Sequence, residues 1–103
     1  MPKYACKVDA NQPALVRLWR SLGCSVAHTH ANPVPGFPDV LLAVREGGPA
    51  HMVEIKDGEK DPSARKLTKD EEEFWSSWKG EIHKIETEDE AIELVNRLRR
   101  AGL

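Results

Sequence analysis

Asp39-Val40-Leu41-Leu42-Ala43-Val44-Arg45-Glu46, then Gly47-Gly48, then Pro49-Ala50-His51-Met52-Val53-Glu54-Ile55-Lys56, is the stretch that decides how this chain folds. Both arms are rich in aliphatic residues and read as strands, and the glycine pair between them reads as a hairpin turn. A turn centred on that pair sets residue 46 against 49, Asp39 against Lys56 and Leu41 against Glu54. Side chains alternate along a strand, so Asp39, Glu54 and Lys56 are expected on one face. Opposite partners lie roughly 5 Å apart at Cβ and diagonal ones about 7–8 Å. A slip of one residue would send Asp39 to the other face. Whether two carboxylates and an amine meet therefore depends on the turn.

Those three groups have a joint chemistry. Carboxylates offer hard oxygen ligands to a hard cation such as Mg²⁺. An ammonium beside them orients a water or stabilises the charge that builds on a phosphate under attack. Together they meet the needs of metal-dependent phosphodiester hydrolysis. The plainer alternative is a surface Lys56 paired with Asp39, a contact worth at most about 1 kcal/mol if exposed.

Outward from the hairpin the pattern alternates between helix and strand. Upstream, residues 11–22 carry Leu15, Leu18, Trp19 and Leu22 at i, i+3, i+4 and i+7, a helical stripe. Asp9 or Asn11 serves as its cap, Pro13 fits its first turn and Gly23 ends it. A short strand is expected over 24–28, then a stiff loop holding Pro33, Pro35, Gly36 and Pro38. The hairpin strands carry apolar residues on both faces and read as central strands covered on both sides. Downstream, a polar loop spans 57–66. Thr68-Lys69-Asp70-Glu71 is a capping box opening a helix to about Trp78, which turns Phe74, Trp75 and Trp78 toward packing surfaces. Residues 81–86 read as a last strand. Thr87-Glu88-Asp89-Glu90 is a second capping box, before a helix that packs Ala91, Leu94, Val95 and Leu98. The predicted order is α-β-β-β-α-β-α, an α/β domain with helices on the faces of its sheet.

At 103 residues the chain reads as one domain, residues 1–103, with room for a real core. Its net charge of −2 excludes a strongly basic protein that coats nucleic acid indiscriminately. Basic residues nevertheless gather near the three groups, at Arg45, Lys56, Lys60, Arg65, Lys66 and Lys69, and acid gathers at 70–73 and 86–90. A local phosphate-binding surface and two solvated helix faces explain that split equally well. No stretch approaches a membrane span and the first residues lack the apolar core of a signal peptide, so a cytoplasmic location is expected. Cys6 and Cys24 make no disulfide framework. Cys24, His28 and His30 have no CxxC or HExxH spacing to support zinc, and Cys24 reads as a small buried hydrophobe.

Element order and motif together resemble the PD-(D/E)XK nuclease superfamily, with its restriction-endonuclease-like three-layer αβββαβ core, here with an extra C-terminal helix. Pro38-Asp39 stands for the PD and Glu54-Ile55-Lys56 for the (D/E)XK. The likeness is closer to the VRR-NUC group, particularly its small stand-alone phage and prophage members. Gly36-Phe37-Pro38-Asp39 looks like their G-x-P-D, and Glu54-Ile55-Lys56-Asp57-Gly58 like their E-[VI]-K-x-G. Residues 63–68, followed by Phe74 and Trp75, resemble the stretch that opens their second core helix. An acid followed loosely by ExK is by itself a weak signal; the hairpin parity, the G-x-P-D entry and the following helix strengthen it.

The resemblance implies hydrolysis of DNA phosphodiesters, with Asp39, Glu54 and the backbone carbonyl of Ile55 holding Mg²⁺ or Mn²⁺ and Lys56 orienting or deprotonating a water. It implies a branched or structured substrate, such as a Holliday junction or a flap. The other readings are a less selective phage DNA-processing endonuclease or nickase, and a catalytically silent DNA-binding subunit of the same fold. A phage-encoded protein would act in the cytoplasm of a bacterial host. Family members usually carry Gln where Glu71 stands; Glu71 is either the N3 partner of the Thr68 cap or a contributor to metal chemistry, and the cap explains it without remainder. Asp9 and Gln12 face the same choice, as related nucleases use an acid on the first helix to complete metal binding. Arg65, Lys66, Lys69, His28 and His30 are candidate DNA contacts. A homodimer is expected, since a junction has two symmetry-related strands to cut and the chain offers one site.

Overall fold

The hairpin turns one residue earlier than its glycine pair suggests. In the computed structural model, which describes residues 9–103, Gly48 N–H donates to Arg45 C=O (3.0 Å), so Glu46 and Gly47 are the central turn residues. Gly47 takes φ 73°, a left-handed conformation that glycine adopts without a Cβ penalty. The strands it joins, β2 (Val40–Ala43) and β3 (His51–Ile55), are shorter than expected. They pair antiparallel with Val40 opposite Val53, Leu41 opposite Met52 and Leu42 opposite His51. Continued outward, this register sets Asp39 against Glu54 rather than Lys56. Moving the turn centre by one residue shifts the register by two, and an even shift leaves every side chain on its face. The expected pairing is corrected and the expected grouping stands.

Around the hairpin, α1 (Gln12–Ser21) leads into β1 (Ser25–His28), which pairs antiparallel with β2. After β3 comes a 3₁₀ turn (Pro62–Arg65) inside the polar loop, then α2 (Lys69–Ser77), β4 (Ile82–Ile85) and α3 (Glu88–Arg100). Strand β4 pairs parallel with β3, which its helical crossover permits. Among the described residues the result is a four-stranded mixed sheet in the order β1-β2-β3-β4 with three α-helices, in the predicted element order. Residues 1–8, including Cys6, lie outside the described residues.

The core lies on one face of the sheet. Val40, Leu42, Val53, Ile55 and Ile85 meet the stripes of α1 (Leu15, Val16, Trp19) and α3 (Ala91, Leu94, Val95, Leu98), all nearly inaccessible. Trp19 is fully buried and its indole N–H donates to Ala91 C=O (3.1 Å), which removes the cost of burying that donor. Cys24 is buried at the edge of this cluster, as expected of a small apolar residue.

The second face is not covered in the way central strands would be. Leu41, Ala43 and Met52 are half-buried and Ala27 is exposed. Both long amphipathic helices have gone to the first face, leaving only α2, which buries no residue fully. Phe74 stacks on Trp78 (5.5 Å between centroids), yet Trp78 remains 43% exposed. Helix α2 reaches the sheet at the end where Lys56 meets Glu71. There the Pro-rich loop comes so close that a Cβ on Gly36 would lie 2.2 Å from Asp70 C=O.

The caps also differ in part. Thr68 and Glu71 form the reciprocal box at the start of α2. At α3 only half of it forms: Thr87 Oγ1 accepts from Glu90 N–H, while the Glu90 carboxylate accepts from Glu86 N–H instead. Asn11 precedes α1 without a side-chain cap bond; its amide donates to Lys56 C=O and Glu86 C=O (3.1 and 3.2 Å), pinning the helix to the ends of β3 and β4. No helix among the described residues is long and apolar enough to cross a membrane.

Candidate active site

Asp39, Glu54 and Lys56 come together where β2 begins and β3 ends. Thr29 N–H donates to Asp39 C=O (3.1 Å), extending the β1–β2 ladder to the acid, and the Thr29 hydroxyl donates to Pro38 C=O. Asp39 Oδ2 accepts from Ile55 N–H (2.8 Å), locking the carboxylate across the hairpin. Glu54 is 2% exposed although it is an acid on a strand. Lys56 N–H donates to Ile85 C=O (3.0 Å), so β4 carries the lysine beyond the end of its own strand. Its ammonium lies 3.6 Å from Glu54 Oε2 and 2.7 Å from Glu71 Oε1.

Glu71 is thus more than a cap. The same Oε1 accepts from Thr68 N–H (2.8 Å) and from Lys56, so one oxygen closes the capping box and holds the lysine. The capping box was legible in the sequence; the approach of Lys56 across the molecule was not. Asp9 stands close enough for its charge to act on Asp39 and Lys56, and it pairs loosely with Lys60 (3.8 Å).

The electrostatics follow from burial. Burial, then the Asp39 charge, then Glu71 push the Glu54 carboxyl up from an ordinary 4.5 to about 10. Asp39 is also raised, by burial first, against the lowering effect of its bond from Ile55 N–H. Burial acts to raise Glu71 too, but the Lys56 ammonium and Thr68 N–H carry it below its usual value. Burial would lower Lys56, and the hydrogen bond and charge of Glu71, with Glu54 and Asp9 behind, raise it instead. Without a further cation the cluster therefore keeps a proton on Glu54. As a carboxylate, Glu54 leaves Oε1 buried with no donor.

That oxygen is the test of whether a metal fits. A buried, partnerless carboxylate oxygen beside a second carboxylate is where a divalent cation relieves both desolvation and repulsion, so Asp39 and Glu54 suit one. Among the described residues no three His, Cys, Asp or Glu side chains form a metal-ligand cluster. A hard cation here would take two carboxylates and complete its shell with main-chain and water oxygens, as Mg²⁺ commonly does.

The remaining expected residues are scattered. Arg65 is committed to Glu86 (3.1 Å), while Lys66 and Lys69 are exposed and make no ion pair among the described residues. Gln12 is buried beside His28 (Nε2 to Nδ1, 3.4 Å), on the α1 side of the sheet. His28 and His30 sit at the end of β1 with rings 6.1 Å apart, away from buried Cys24. Sequence reasoning missed Asn11 as a brace, Thr29 as the clamp on Pro38-Asp39, and Arg17 and Arg20 beside His28. The arginines had a signal: they lie three apart on α1, off its apolar stripe. Compared with known proteins, the chain matches no family model, no curated protein and no solved structure.

Proposed function

We propose that the protein is a divalent-metal-dependent endodeoxyribonuclease of the PD-(D/E)XK kind, similar to the small VRR-NUC proteins, hydrolysing phosphodiesters in branched or structured DNA such as a junction or flap. One observation carries the reading: Asp39, Glu54 and Lys56 converge at one end of the sheet, with Glu54 Oε1 buried and no donor to it among the described residues. A surface ion pair does not account for this, since neither Glu54 nor Lys56 is exposed. Helix α2 on the site side and α1 and α3 behind the sheet are compatible with a restriction-endonuclease-like core extended by α3.

Asp39, Glu54 and the Ile55 carbonyl would hold Mg²⁺ or Mn²⁺, which when bound lowers the pKa of a water and offsets charge on the phosphate. Ile55 N–H keeps Asp39 Oδ2 in place, so the acid needs little reorganisation to serve. Lys56 retains its proton under the influence of Glu71 and Glu54, so its part is to orient a water and stabilise developing negative charge rather than to remove a proton. Glu71 holds the ammonium by a 2.7 Å hydrogen bond, with Glu54 Oε2 3.6 Å away. Asp9, close in charge, supports the same field.

The experiment is incubation with a panel of labelled four-way junction, flap, duplex and single-stranded DNAs in Mg²⁺, Mn²⁺ or EDTA. Metal-dependent cutting of junction or flap above duplex is expected. Equal cutting of all substrates makes it an unselective endonuclease or nickase. Binding without cutting in either metal makes it a silent DNA-binding subunit and removes the proposal.

A further inference from the structure

Between α1 and the end of β1 runs a groove of about 370 Å³ whose rim carries Arg17, Arg20, His28 and His30 and whose floor includes Pro13 and Val16. Among the described residues no carboxylate lines it. Arg17 has no partner among the described residues, and Arg20 spends one Nη2 contact on Val26 C=O (3.1 Å). Gln12, also on its wall, is 4% exposed with Oε1 unpartnered. The oxygen and nitrogen of an amide are interchangeable by assignment. Exchanged, Oε1 accepts from His28 Nδ1–H and the NH₂ becomes a free donor. With the amide as assigned, Gln12 Nε2–H donates to His28 Nδ1 and the ring proton sits on Nε2, the donor a phosphate oxygen needs; exchanged, only the imidazolium donates from Nε2.

The contrast with the α2 side is one of charge. Near α2, Arg65 is neutralised by Glu86, and Lys66 and Lys69, unpaired among the described residues, are sequence neighbours of Asp70, Glu71 and Glu72 in the first turn. In a chain of net charge −2, Arg17 and Arg20 in the α1–β1 groove are cations with no carboxylate beside them among the described residues. The groove lies on the opposite face of the sheet from the site but at the same end: His28 pairs with Val40, and Thr29, the next residue, is bonded to Asp39. Among the described residues the lining has no Phe, Tyr or Trp on which a base would stack.

We propose that this groove seats the sugar-phosphate backbone of DNA flanking the scissile bond, with Arg17, Arg20 and His28 meeting phosphate oxygens and the strand crossing the end of β1 to reach Asp39. The inference rests on the nuclease reading for the scissile bond; the groove itself recognises phosphodiesters without reading bases.

Binding is measured by fluorescence anisotropy of a labelled junction oligonucleotide in EDTA across a salt series, with cleavage followed separately in Mg²⁺. Arg17→Glu, at an exposed side chain with no partner among the described residues, is expected to weaken binding about tenfold and to lower the slope of log K against log salt by about one. Lys66→Glu with Lys69→Glu is expected to weaken it less than about threefold. His28 Nε2 is expected to shift in ¹⁵N NMR as the oligonucleotide is added. A wild-type Kd in Arg17→Glu with an unmoved His28 signal overturns the groove even if the protein cuts DNA. Weakened binding in Arg17→Glu with no cleavage by the wild type leaves the groove standing and removes the nuclease reading.

Discussion

Glu54 carries the sharpest consequence of the site, because a buried acid with a partnerless oxygen behaves differently with and without a cation. Both Asp39→Asn and Glu54→Gln are expected to abolish metal-dependent cleavage, by orders of magnitude in rate, while DNA binding by anisotropy persists. Near-wild-type cutting at saturating Mg²⁺ by either variant would remove them as ligands. The pH dependence of stability offers a second readout. In EDTA the folded state holds Glu54 protonated up to about pH 10, whereas the unfolded chain ionises it near 4.5. The unfolded state therefore binds fewer protons between those values, and stability falls as pH rises through that window. Glu54→Gln, neutral throughout, is expected to melt above the wild type at pH 8 in EDTA and to lose that advantage toward pH 4. Each kcal/mol relieved is worth about 4–8 °C in a domain of this size. A wild-type melting temperature that rises from pH 5 to pH 8 in EDTA would contradict the assignment.

Helix α2 is held to the end of β3 by one contact and to the loop before β2 by another, and the two separate charge from packing. Glu71 caps the helix and holds Lys56 with the same oxygen. Glu71→Ala removes both bonds and is expected to cost roughly 2 kcal/mol in urea unfolding, the scale of a hydrogen bond to a charged group. Glu71→Gln retains an oxygen for Thr68 N–H, so it is expected to cost no more than about half of that. Equal losses would mean that the Lys56 ion pair, not the cap, is what Glu71 contributes to the fold. Gly36 is the other contact, with φ +77° and Asp70 C=O lying 2.2 Å from where a Cβ would be. Gly36→Ala must push loop and helix apart, at an expected cost of about 1–3 kcal/mol, and shift Pro38 and Asp39 with the loop. A variant with wild-type urea midpoint and cleavage rate would show that loop and helix are not braced against each other.

Across the whole molecule, the asymmetry of the two sheet faces bears on assembly. The α1–α3 face is closed by a single apolar cluster, while the other leaves Leu41, Ala43 and Met52 half-covered and Trp78 43% exposed. Large aromatics are enriched at protein interfaces, and a two-fold dimer would supply the paired sites that a four-way junction presents. Light scattering at micromolar concentration is expected to give the mass of two chains. One chain's mass, unchanged by junction DNA, would favour nicking or flap cutting over paired incision.

Much of this was legible from the chain alone. The 3.6-residue stripes of α1 and α3 and the alternation through residues 39–56 depend on nearest-neighbour geometry, and they named the elements, their order and much of the apolar cluster, including Leu15, Trp19, Ala91, Leu94, Val95 and Leu98 but not Val16 or Val44. The grouping of Asp39, Glu54 and Lys56 survived a mistaken turn because strand parity tolerates a shift of two. What depended on distant parts of the chain meeting was not legible. Neither Asn11 bonding to Lys56 and Glu86 nor Glu71 reaching Lys56 has any local signal, since each joins residues far apart in sequence. The uncovered sheet face belongs with them. Strand composition says that a residue is apolar, but which face two amphipathic helices close is settled only when they pack, and here both stripes were needed to bury one face around Trp19.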